Sequence, residues 1–377
     1  MENYDMTPIS ATGSIVGEDS LGLEVASQWK LMWWKFRKHK LAMVSGALVI
    51  FFYIVALFCE FFAPNVPTTY LDIYATAPPQ PIRLFYNGRW MPHVLGLKFD
   101  RDPISLRKTW VTDEEDVVPI GLFVRGDPYR LWGLIPSDIH LFGSKEPDAP
   151  FYLLGADMIG RDVFSRVIYS SRISLTVGLV GMVIALTIGI LLGGISGLVG
   201  GALDNIIQRV IEILMSIPTL PVWLALAAVV PIHWPALRVY FMISIILSLV
   251  SWTGMARVVR SKFLALREED FVRAAILDGC SQVRLIMKHM LPSFMSHIIA
   301  SVTLWIPGLI LGETALSFLG LGLRPPVVSW GVMLQDSQKV AVIARYPWLL
   351  APGAAVFLVV LALNFLGDGL RDAADPY

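Results

Sequence analysis

The segment Ile173–Leu203 reads ISLTVGLVGMVIALTIGILLGGISGLVGGAL and contains no Asp, Glu, Lys or Arg. About 20 mostly apolar residues in an α-helix cross the roughly 30 Å hydrocarbon core of a bilayer. This segment exceeds that length, so it predicts a transmembrane helix with residues to spare.

Small residues recur at every fourth position of the same segment. They are Gly181, Ala185, Gly189, Gly193, Gly197 and Gly201. This spacing places them on one helix face, where small side chains let a second helix approach closely. The pattern predicts tight helix packing at Gly181, Gly189, Gly193 and Gly197, and by itself it does not indicate transport.

Five further segments lack charged residues and are long enough to span a membrane. They are Leu41–Cys59, Ile213–His233 (interrupted by Pro218 and Pro221), Val239–Ala256, Met290–Gly312 and Tyr346–Gly367. The chain of 377 residues is 55% hydrophobic and only 16% charged, whereas soluble domains are nearer 25% charged. The sequence therefore predicts an all-α polytopic membrane protein with six spans.

Composition and motifs exclude several functional classes. Thirty basic and thirty acidic residues cancel, which leaves no net charge to attract nucleic acid. Two cysteines cannot build a disulfide framework, and His289 and His297 have no carboxylate or thiol at ligand spacing, so no metal site is predicted. The chain has no GxSxG, HExxH or GxxxxGK[ST] motif, so it offers no catalytic residue, and any ATP would be bound by another chain.

Basic residues flank three of the predicted spans. Lys30, Lys35, Arg37, Lys38 and Lys40 precede the first, Arg257, Arg260, Lys262 and Arg267 follow the fourth, and Arg371 follows the sixth. Such residues mark the cytoplasmic side, so both termini are predicted to be cytoplasmic. Residues 1–29 would form a cytoplasmic tail, and residues 30–62 an interfacial helix plus the first span. For Trp29–Lys40, a helix lying on the inner leaflet and a plain orienting signal both remain open.

Residues 63–171 are predicted to be a periplasmic or extracellular insertion and linker. Prolines are dense there, and short β-like runs such as Ile82–Tyr86 and Ile120–Val124 lie between turn signals. This composition predicts a loop-rich cap. Contact with a substrate-delivery protein and bracing of the assembly both remain open as its role. Residues 172–377 would then form a five-helix core.

Polar residues interrupt two of the predicted spans. Arg209 and Glu212 lie one turn apart, where pairing with each other and facing a polar pathway both remain open. The segment from Ser216 to Thr219 adds a proline kink beside hydroxyl groups, and Glu313-Thr314 ends the fifth span. The candidate pathway residues are therefore Glu212, Ser216, Thr219, Glu313 and Thr314.

The loop between the fourth and fifth spans, residues 267–292, reads REEDFVRAAILDGCSQVRLIMKHMLP. Gly279 permits a turn between two short amphipathic helices, and Pro292 marks the start of the next helix. The small residues Ala274 and Ala275 beside Phe271 form a compact knob that fits a groove on another protein. A docking knob and an interfacial helix pair without a partner both remain open from the residues alone.

The 267–292 loop resembles the EAA coupling motif of ABC importer permeases. The matching residues are Ala274, Ala275, Gly279, Leu291 and Pro292, with Arg273 where the motif has glutamate. Other stretches are similar to the C-type permease of the peptide, nickel and opine transporter family. These stretches are Phe151–Arg166, Ala315–Leu323 followed by Pro325-Pro326 and Ser329–Gly331, and Asn364–Ala373.

The resemblance implies a type I ABC importer permease in a bacterial or archaeal cell (inner) membrane. Such a permease pairs with a homologous second permease, two cytoplasmic ATPase subunits and a periplasmic or lipid-anchored substrate-binding protein, and it contacts membrane lipid. The chain would bind no cofactor itself, because ATP and Mg²⁺ are held by the ATPases. The residues implied in docking to an ATPase are Glu269, Asp270, Phe271, Arg273, Ala274, Ala275, Gly279, Leu291 and Pro292.

The leading hypothesis is thus a non-catalytic transmembrane subunit of an ATP-driven importer. The alternative is an ion-coupled secondary transporter, which predicts inverted repeats and a carboxylate in mid-membrane, and the sequence gives neither convincingly. Peptides are the substrate that the resemblance implies, with oligosaccharides, opines and nickel chelates as alternatives.

Overall fold

The computed structural model describes residues 28–101, 108–146 and 149–374, so the predicted tail lies almost entirely outside the described residues. The helices are α1 Gln28–Lys38, α2 Lys40–Leu57, α3 Cys59–Phe62, α4 Val163–Val199, α5 Gly201–Ser216, α6 Thr219–Ala228, α7 Ala236–Leu266, α8 Asp270–Leu277, α9 Gln282–Arg284, α10 Leu291–Ser293, α11 Met295–Phe318, α12 Trp330–Gln335, α13 Val340–Arg345 and α14 Ala351–Ala374. A π-helical segment, Leu285–Met290, joins α9 to α10, and 3₁₀ turns cover Asp72–Tyr74 and Pro347–Leu350.

Five helical segments of the described chain are long and apolar enough to cross a membrane. They are α2, α4, α7, α11 and Pro347–Ala374. The pair α5 and α6 passes the same test together but bends by 87°. The span predicted at Ile213–His233, with its interruption at Pro218, corresponds to the second part of this bent pair, and most of the charged helix α5 before it was not included. The break follows from Pro218, which forces Ile217 into an extended conformation between the two helices.

Helices α4 and α7 pack side by side through the small residues of α4. Each of four glycines on α4 faces one residue of α7. Gly181 faces Ser248, Gly189 faces Met255, Gly193 faces Ala256 and Gly197 faces Phe263. A β-carbon on Gly193 would collide with the carbonyl oxygen of Ala256, so the two backbones are in direct contact there. The four predicted packing glycines are all buried on α4 and face α7.

The order of these contacts shows that α4 and α7 are parallel, because residue numbers rise together along both helices. The chain must therefore travel back across the bundle between Val199 and Ala236. The bent pair α5–α6 and the residues after it make that return. The described residues thus contain six segments able to cross a membrane when the bent pair counts as one.

The other long helices fix the two ends of the bundle. Gly178 of α4 contacts Ile310 of α11, and Ser174 contacts Glu313, so α11 is antiparallel to α4. Gly369 of α14 lies against Ala42 at the start of α2. One end, the loop end, therefore holds α1, the 267–292 loop and the end of α14. The opposite end, the sheet end, holds residues 58–101, 108–146 and 149–162.

The insertion at the sheet end is an antiparallel sheet rather than the predicted loop-rich cap. Its strands, in sheet order, are β1 Arg83–Tyr86, β2 Arg89–Arg101, β3 Lys108–Leu131 and β4 Ile135–Ser144. Strand β3 pairs with β2 up to Pro119 and with β4 from Ile120 onward. Pro119 lies where β3 changes partner and Pro128 lies in an irregularity of the β3–β4 register, so prolines that suggested loops are accommodated inside strands.

The insertion leaves and rejoins the chain at one place. The Gln80 backbone N–H donates to the Tyr152 carbonyl at 2.9 Å, and the Tyr152 N–H donates to Gln80 Oε1 at 2.7 Å. Beyond this point the chain enters α4 at Val163, capped by Asp162, whose carboxylate accepts from the N–H groups of Phe164 and Ser165. Helix α4 therefore begins before residue 172, the start assigned to the core from sequence.

An ion pair joins the ends of two helices at the sheet end of the bundle. Arg172 of α4 donates to both carboxylate oxygens of Glu60, at 2.6 and 2.5 Å, and also to the carbonyls of Ala56 and Leu57. Burial of Glu60 raises the pKa of its carboxyl, but the hydrogen bonds from Arg172 outweigh that effect and hold the pKa below its ordinary value. The end of α2 and the start of α4 are thereby locked together.

The interfacial segment predicted before the first span is helical, as α1. Met32 and Phe36 are buried against the last turns of α14, whereas Trp29 and Trp33 are about half exposed. One face of α1 is therefore held by the bundle, and its tryptophans point away from it.

Candidate functional site

Helix α8 presents apolar side chains at the loop end of the bundle. Val272 and Ala275 are buried, while Phe271, Ile276 and Leu277 are 43%, 51% and 86% exposed. The buried pair fixes the helix on the bundle, and the three exposed side chains form a surface that this chain leaves uncovered. An apolar patch on such a short rigid helix is a typical protein docking surface.

Gly279 ends α8 in a Schellman motif. The Cys280 N–H donates to the Ala275 carbonyl, and the Gly279 N–H donates to the Ile276 carbonyl, both at 3.0 Å. Gly279 has φ of +74°, and no atom lies within 4 Å of a β-carbon placed on it. Glycine is therefore required there for its backbone conformation and not for lack of space.

The second half of the loop returns the chain to the membrane. Leu285, Met290 and Leu291 are buried, and Phe294 packs edge-on against Phe263 of α7 with ring centroids 5.6 Å apart. Pro292 is exposed in the single turn α10, and a break at Phe294 separates that turn from α11. The loop is thus anchored directly on α7, the helix that packs along α4.

The charged residues of the loop pair within it. Arg273, which replaces the glutamate of the resembling motif, donates to Glu268 at 2.5 Å, and Arg267 contacts the same carboxylate at 3.1 Å. Hydrogen bonds from these arginines lower the pKa of Glu268. Glu269 and Asp270 are exposed at the start of α8 and make no side-chain cap.

The nine residues predicted for coupling therefore lie in one excursion at the loop end. Ala275 and Leu291 are buried within it, and the other seven are exposed. Sequence reasoning missed four exposed apolar residues, Ile276, Leu277, Val283 and Met287. The amphipathic pattern of the loop could have pointed to these residues. That pattern shows where the apolar residues are, but it does not show which of them the bundle covers.

A concave surface of about 390 Å³ lies beside the bend between α5 and α6. It is lined by Met215, Thr219, Trp223, Val250, Ser251, Thr253, Gly254, Leu304, Trp305, Gly308 and Leu309. Thr219 is the predicted pathway residue found there. Ser216 lies across the bend and donates to the Ile213 carbonyl at 2.7 Å. Glu212 pairs with Arg209 at 2.8 Å on an exposed face of α5, which favours the pairing considered from sequence.

Glu313 lies away from this cavity, inside α11, and not at the end of a span as predicted. Its side chain is fully buried and accepts hydrogen bonds from the hydroxyls of three serines. These are Ser174 at 3.2 Å, Ser317 at 2.8 Å and Ser329 at 2.8 Å. Thr314 beside it is buried too, and its hydroxyl has no hydrogen-bond partner among the described residues.

Each of the three serines also accepts a backbone N–H. The donors are Trp330 for Ser174, Leu323 for Ser317 and Val332 for Ser329. We call Glu313 with these serines the Glu313 cluster. It joins α4, α11 and α12, so the carboxylate stabilises the arrangement of these helices.

Comparison with known proteins shows which family models the chain matches. Residues 189–377 match the family model described as binding-protein-dependent transport system inner membrane component, and residues 27–79 match the N-terminal transmembrane domain of oligopeptide transport permease C. The two matched segments leave residues 80–188, with the whole sheet, between them.

The individual relatives are permease proteins of dipeptide or oligopeptide transport systems. The dipeptide transport system permease protein DppC of Alkalihalophilus pseudofirmus is 41% identical over 59% of this chain and 71% of its own length. The oligopeptide transport system permease proteins OppC of Haemophilus influenzae and Bacillus subtilis are 40% and 36% identical over 64% of this chain, and over 75% and 76% of their own lengths.

Proposed function

This chain belongs to the family of binding-protein-dependent transport inner membrane components, and from that premise we propose that it forms half of the translocation pathway of an ATP-driven peptide importer. It is an integral inner-membrane permease subunit. The names of its relatives favour peptides as the substrate. Oligosaccharides, opines and nickel chelates are the substrate classes that uptake assays must exclude.

The observation that carries this proposal is the uncovered apolar surface of α8. Phe271, Ile276 and Leu277 project from a helix that directly follows α7 in the chain, packs on the segment Leu285–Met290 and is closed by the Gly279 Schellman motif. A cytoplasmic ATPase groove that receives α8 would move α7 with it. Since α7 packs backbone to backbone on α4, that movement would reach the sheet end of the bundle.

The cycle follows from a two-state assembly biased by nucleotide. ATP binding closes a pair of ATPase subunits, which draws together the 267–292 loops of this permease and a homologous second permease. The pathway then opens toward a periplasmic or lipid-anchored substrate-binding protein. This chain contributes no catalytic residue to the cycle, and ATP and Mg²⁺ stay on the ATPases.

We assign the loop end to the cytoplasm, with both termini on that side. The cationic residues of α1, and those at the end of α7 such as Arg260, support this orientation. The concave surface at the α5–α6 bend is then one wall of the pathway, with Thr219 on it and Ser216 and Glu212 on the adjoining helix. Glu313 and Thr314 act behind that wall by holding α11 in place.

The docking claim is tested by affinity purification of the tagged full chain from its native membrane in mild detergent. The variant Leu277→Asp should retain the second permease and lose the ATPase subunits, because a charge replaces the most exposed apolar side chain of α8. The control is Val340→Asp, an equally drastic change at an 80% exposed residue of the sheet end, which should retain both partners.

Recovery of the unmodified chain without any ATPase, in a preparation that keeps other complexes intact, would overturn the importer assignment. Retention of the ATPases by Leu277→Asp would refute only the docking role of α8. A second pair of variants probes coupling itself. Gly279→Val should leave ATP hydrolysis but abolish uptake, whereas Gly279→Asn, which tolerates positive φ, should transport.

A further inference from the structure

The turns of the two hairpins in the inserted sheet each contain two successive residues with positive φ, but the residues differ, and the β3–β4 loop is one residue longer. The β1–β2 turn has Asn87 and Gly88 at φ of +47° and +75°, and the β3–β4 turn has Trp132 and Gly133 at +53° and +75°. Positive φ at both central residues is the type I′ arrangement, for which Asn-Gly is the preferred pair. A tryptophan is strained in that conformation, so Trp132 has a role other than forming the turn.

Trp132 attaches the hairpin tip to the end of the first span. Its indole N–H donates to the carbonyl of Leu57 at 2.7 Å, and its ring centroid lies 5.5 Å from that of Phe58. Leu57 is the last residue of α2, a helix able to span the membrane. The tip of the β3–β4 hairpin therefore lies at the depth where α2 leaves the hydrocarbon core.

The residues around this attachment are apolar and exposed. Leu134 and Ile135, next to the turn, are 78% and 53% exposed. Farther along β3, Phe123 is also in the left-handed region, at φ of +54°, and its ring lies 6.2 Å from that of Phe61. The same strand carries two exposed arginines, Arg125 and Arg130.

This apolar surface continues the lipid-facing side of α2. On that helix, Ile54 and Leu57 are 44% and 51% exposed, and they precede the Phe58 ring that contacts Trp132. A surface that joins a lipid-facing helix face without a break, and that pairs tryptophan with arginine, has the composition of the membrane–water interface.

We propose that the β3–β4 hairpin lies on the bilayer surface at the sheet end, with Trp132, Leu134 and Ile135 in the interfacial layer. Arg130 contacts lipid phosphates in this arrangement, whereas Arg125 lies 3.9 Å from the carboxylate of Asp138. The bound partner is lipid, and the hairpin holds the inserted sheet at a fixed height beside the bundle. Aromatic and aliphatic side chains stabilise such a position by burying apolar area among the headgroups.

The test uses the full chain in lipid nanodiscs with an environment-sensitive fluorophore on a single added cysteine. Cys280 is replaced by serine, and Cys59, which is fully buried, is left in place. The fluorophore is attached at Leu134→Cys, and the matched control is Asn87→Cys in the β1–β2 turn. A sample without an added cysteine gives the background labelling.

Lipids brominated on their acyl chains should quench the fluorophore at position 134 and leave the one at position 87 unchanged, and aqueous iodide should do the reverse. Quenching at position 134 by iodide to the same extent as at position 87 would overturn the proposal. Protection at position 134 from both quenchers, in a preparation that contains the second permease, would assign the surface to a protein and overturn it as well. Ile135→Cys repeats the measurement if Leu134→Cys does not fold.

Discussion

Two neighbouring parts of the helix bundle differ in how completely this chain covers them. Along the α4–α7 contact the four packing glycines are buried and the backbones touch. In the bent pair, Ile207 and Ile211 are the buried residues of α5, and Ala227 is the buried residue of α6. The α4–α7 contact is formed entirely by residues of this chain. Most of the surface of the bent pair is not covered by this chain, so it faces lipid or another subunit.

This difference separates folding from function along the sequence. Residues at a closed contact should affect stability when they are changed, because their neighbours cannot move away. Residues on the open pair should affect transport with little effect on stability. Substitutions at closed contacts and at open positions can therefore break or sharpen the distinction, and four tests follow from the largest expected effect to the smallest.

The strongest test is the same substitution at two glycines. Gly193→Ala should destabilise the protein by about 3 kcal/mol, at the upper end of overpacking costs, because the new methyl group meets the backbone of Ala256. Gly308→Ala, where no atom lies within 4 Å of the added carbon, should stabilise α11 by about 0.5–1 kcal/mol. Thermal unfolding in detergent measures both, and equal effects at the two positions would erase the distinction between closed and open contacts.

The Glu313 cluster gives the next largest effect. Glu313→Leu removes the acceptor of three serine hydroxyls and should destabilise the protein by about 2 kcal/mol, while Glu313→Gln, which keeps an acceptor oxygen, should lose less. Comparison of unfolding temperatures with uptake separates the roles. If Glu313→Gln is fully stable but inactive, the carboxylate has a pathway role that its burial in one chain does not reveal.

The Glu60–Arg172 pair adds a pH dependence. Glu60→Gln should cost about 2 kcal/mol at pH 7, less than a fully buried pair, because Arg172 remains partly exposed. The pKa of Glu60 is lower in the folded protein than in the unfolded chain, so its stabilisation is complete above the unfolded pKa of about 4.3 and is lost progressively as the pH falls below that value and through the lower pKa of the folded protein. The difference in unfolding temperature between the variant and the unmodified protein should therefore shrink as the pH falls from neutral to below the unfolded pKa. A constant difference would mean that Arg172 does not lower the pKa of Glu60 in the folded protein.

The smallest stability effect belongs to the open pair. Thr219→Val keeps the shape of a side chain on the concave surface, so it should change the free energy of unfolding by less than about 0.5 kcal/mol while it lowers uptake. Thr303→Val on α11, outside that surface, makes the same chemical change and should leave uptake intact. Equal uptake by the two variants would exclude Thr219 from the pathway.

Much of the helical fold could be predicted because hydrophobic length and small-residue spacing are local signals. The stripe from Gly181 to Gly197 faces α7, and the residues of the 267–292 loop do form a helix closed at Gly279. Pro218 predicts a kink in the third span, but an apolar window does not give the angle of that kink. The 87° bend between α5 and α6 is a property of the folded chain.

The sheet and the Glu313 cluster could not be predicted for a different reason. Strand β3 changes partner at Pro119, and such non-local pairing leaves no periodic signal in one strand. Likewise, when the sequence is considered alone, a carboxylate such as Glu313 within a membrane span suggests a residue that faces a solute pathway. Its role depends on Ser174 and Ser329, which lie 139 and 16 residues away in sequence, and their convergence is a property of the folded chain.

The two hydrogen bonds between Gln80 and Tyr152 have a consequence for how the inserted segment can evolve. Because the inserted segment departs and returns at adjacent residues, its presence or absence leaves the ends of the flanking helices in the same place. The entropy of closing a loop rises only with the logarithm of its length, so a long segment adds little to the cost of a short one. The inserted segment can therefore be gained, lost or exchanged during evolution without changes in the transmembrane bundle.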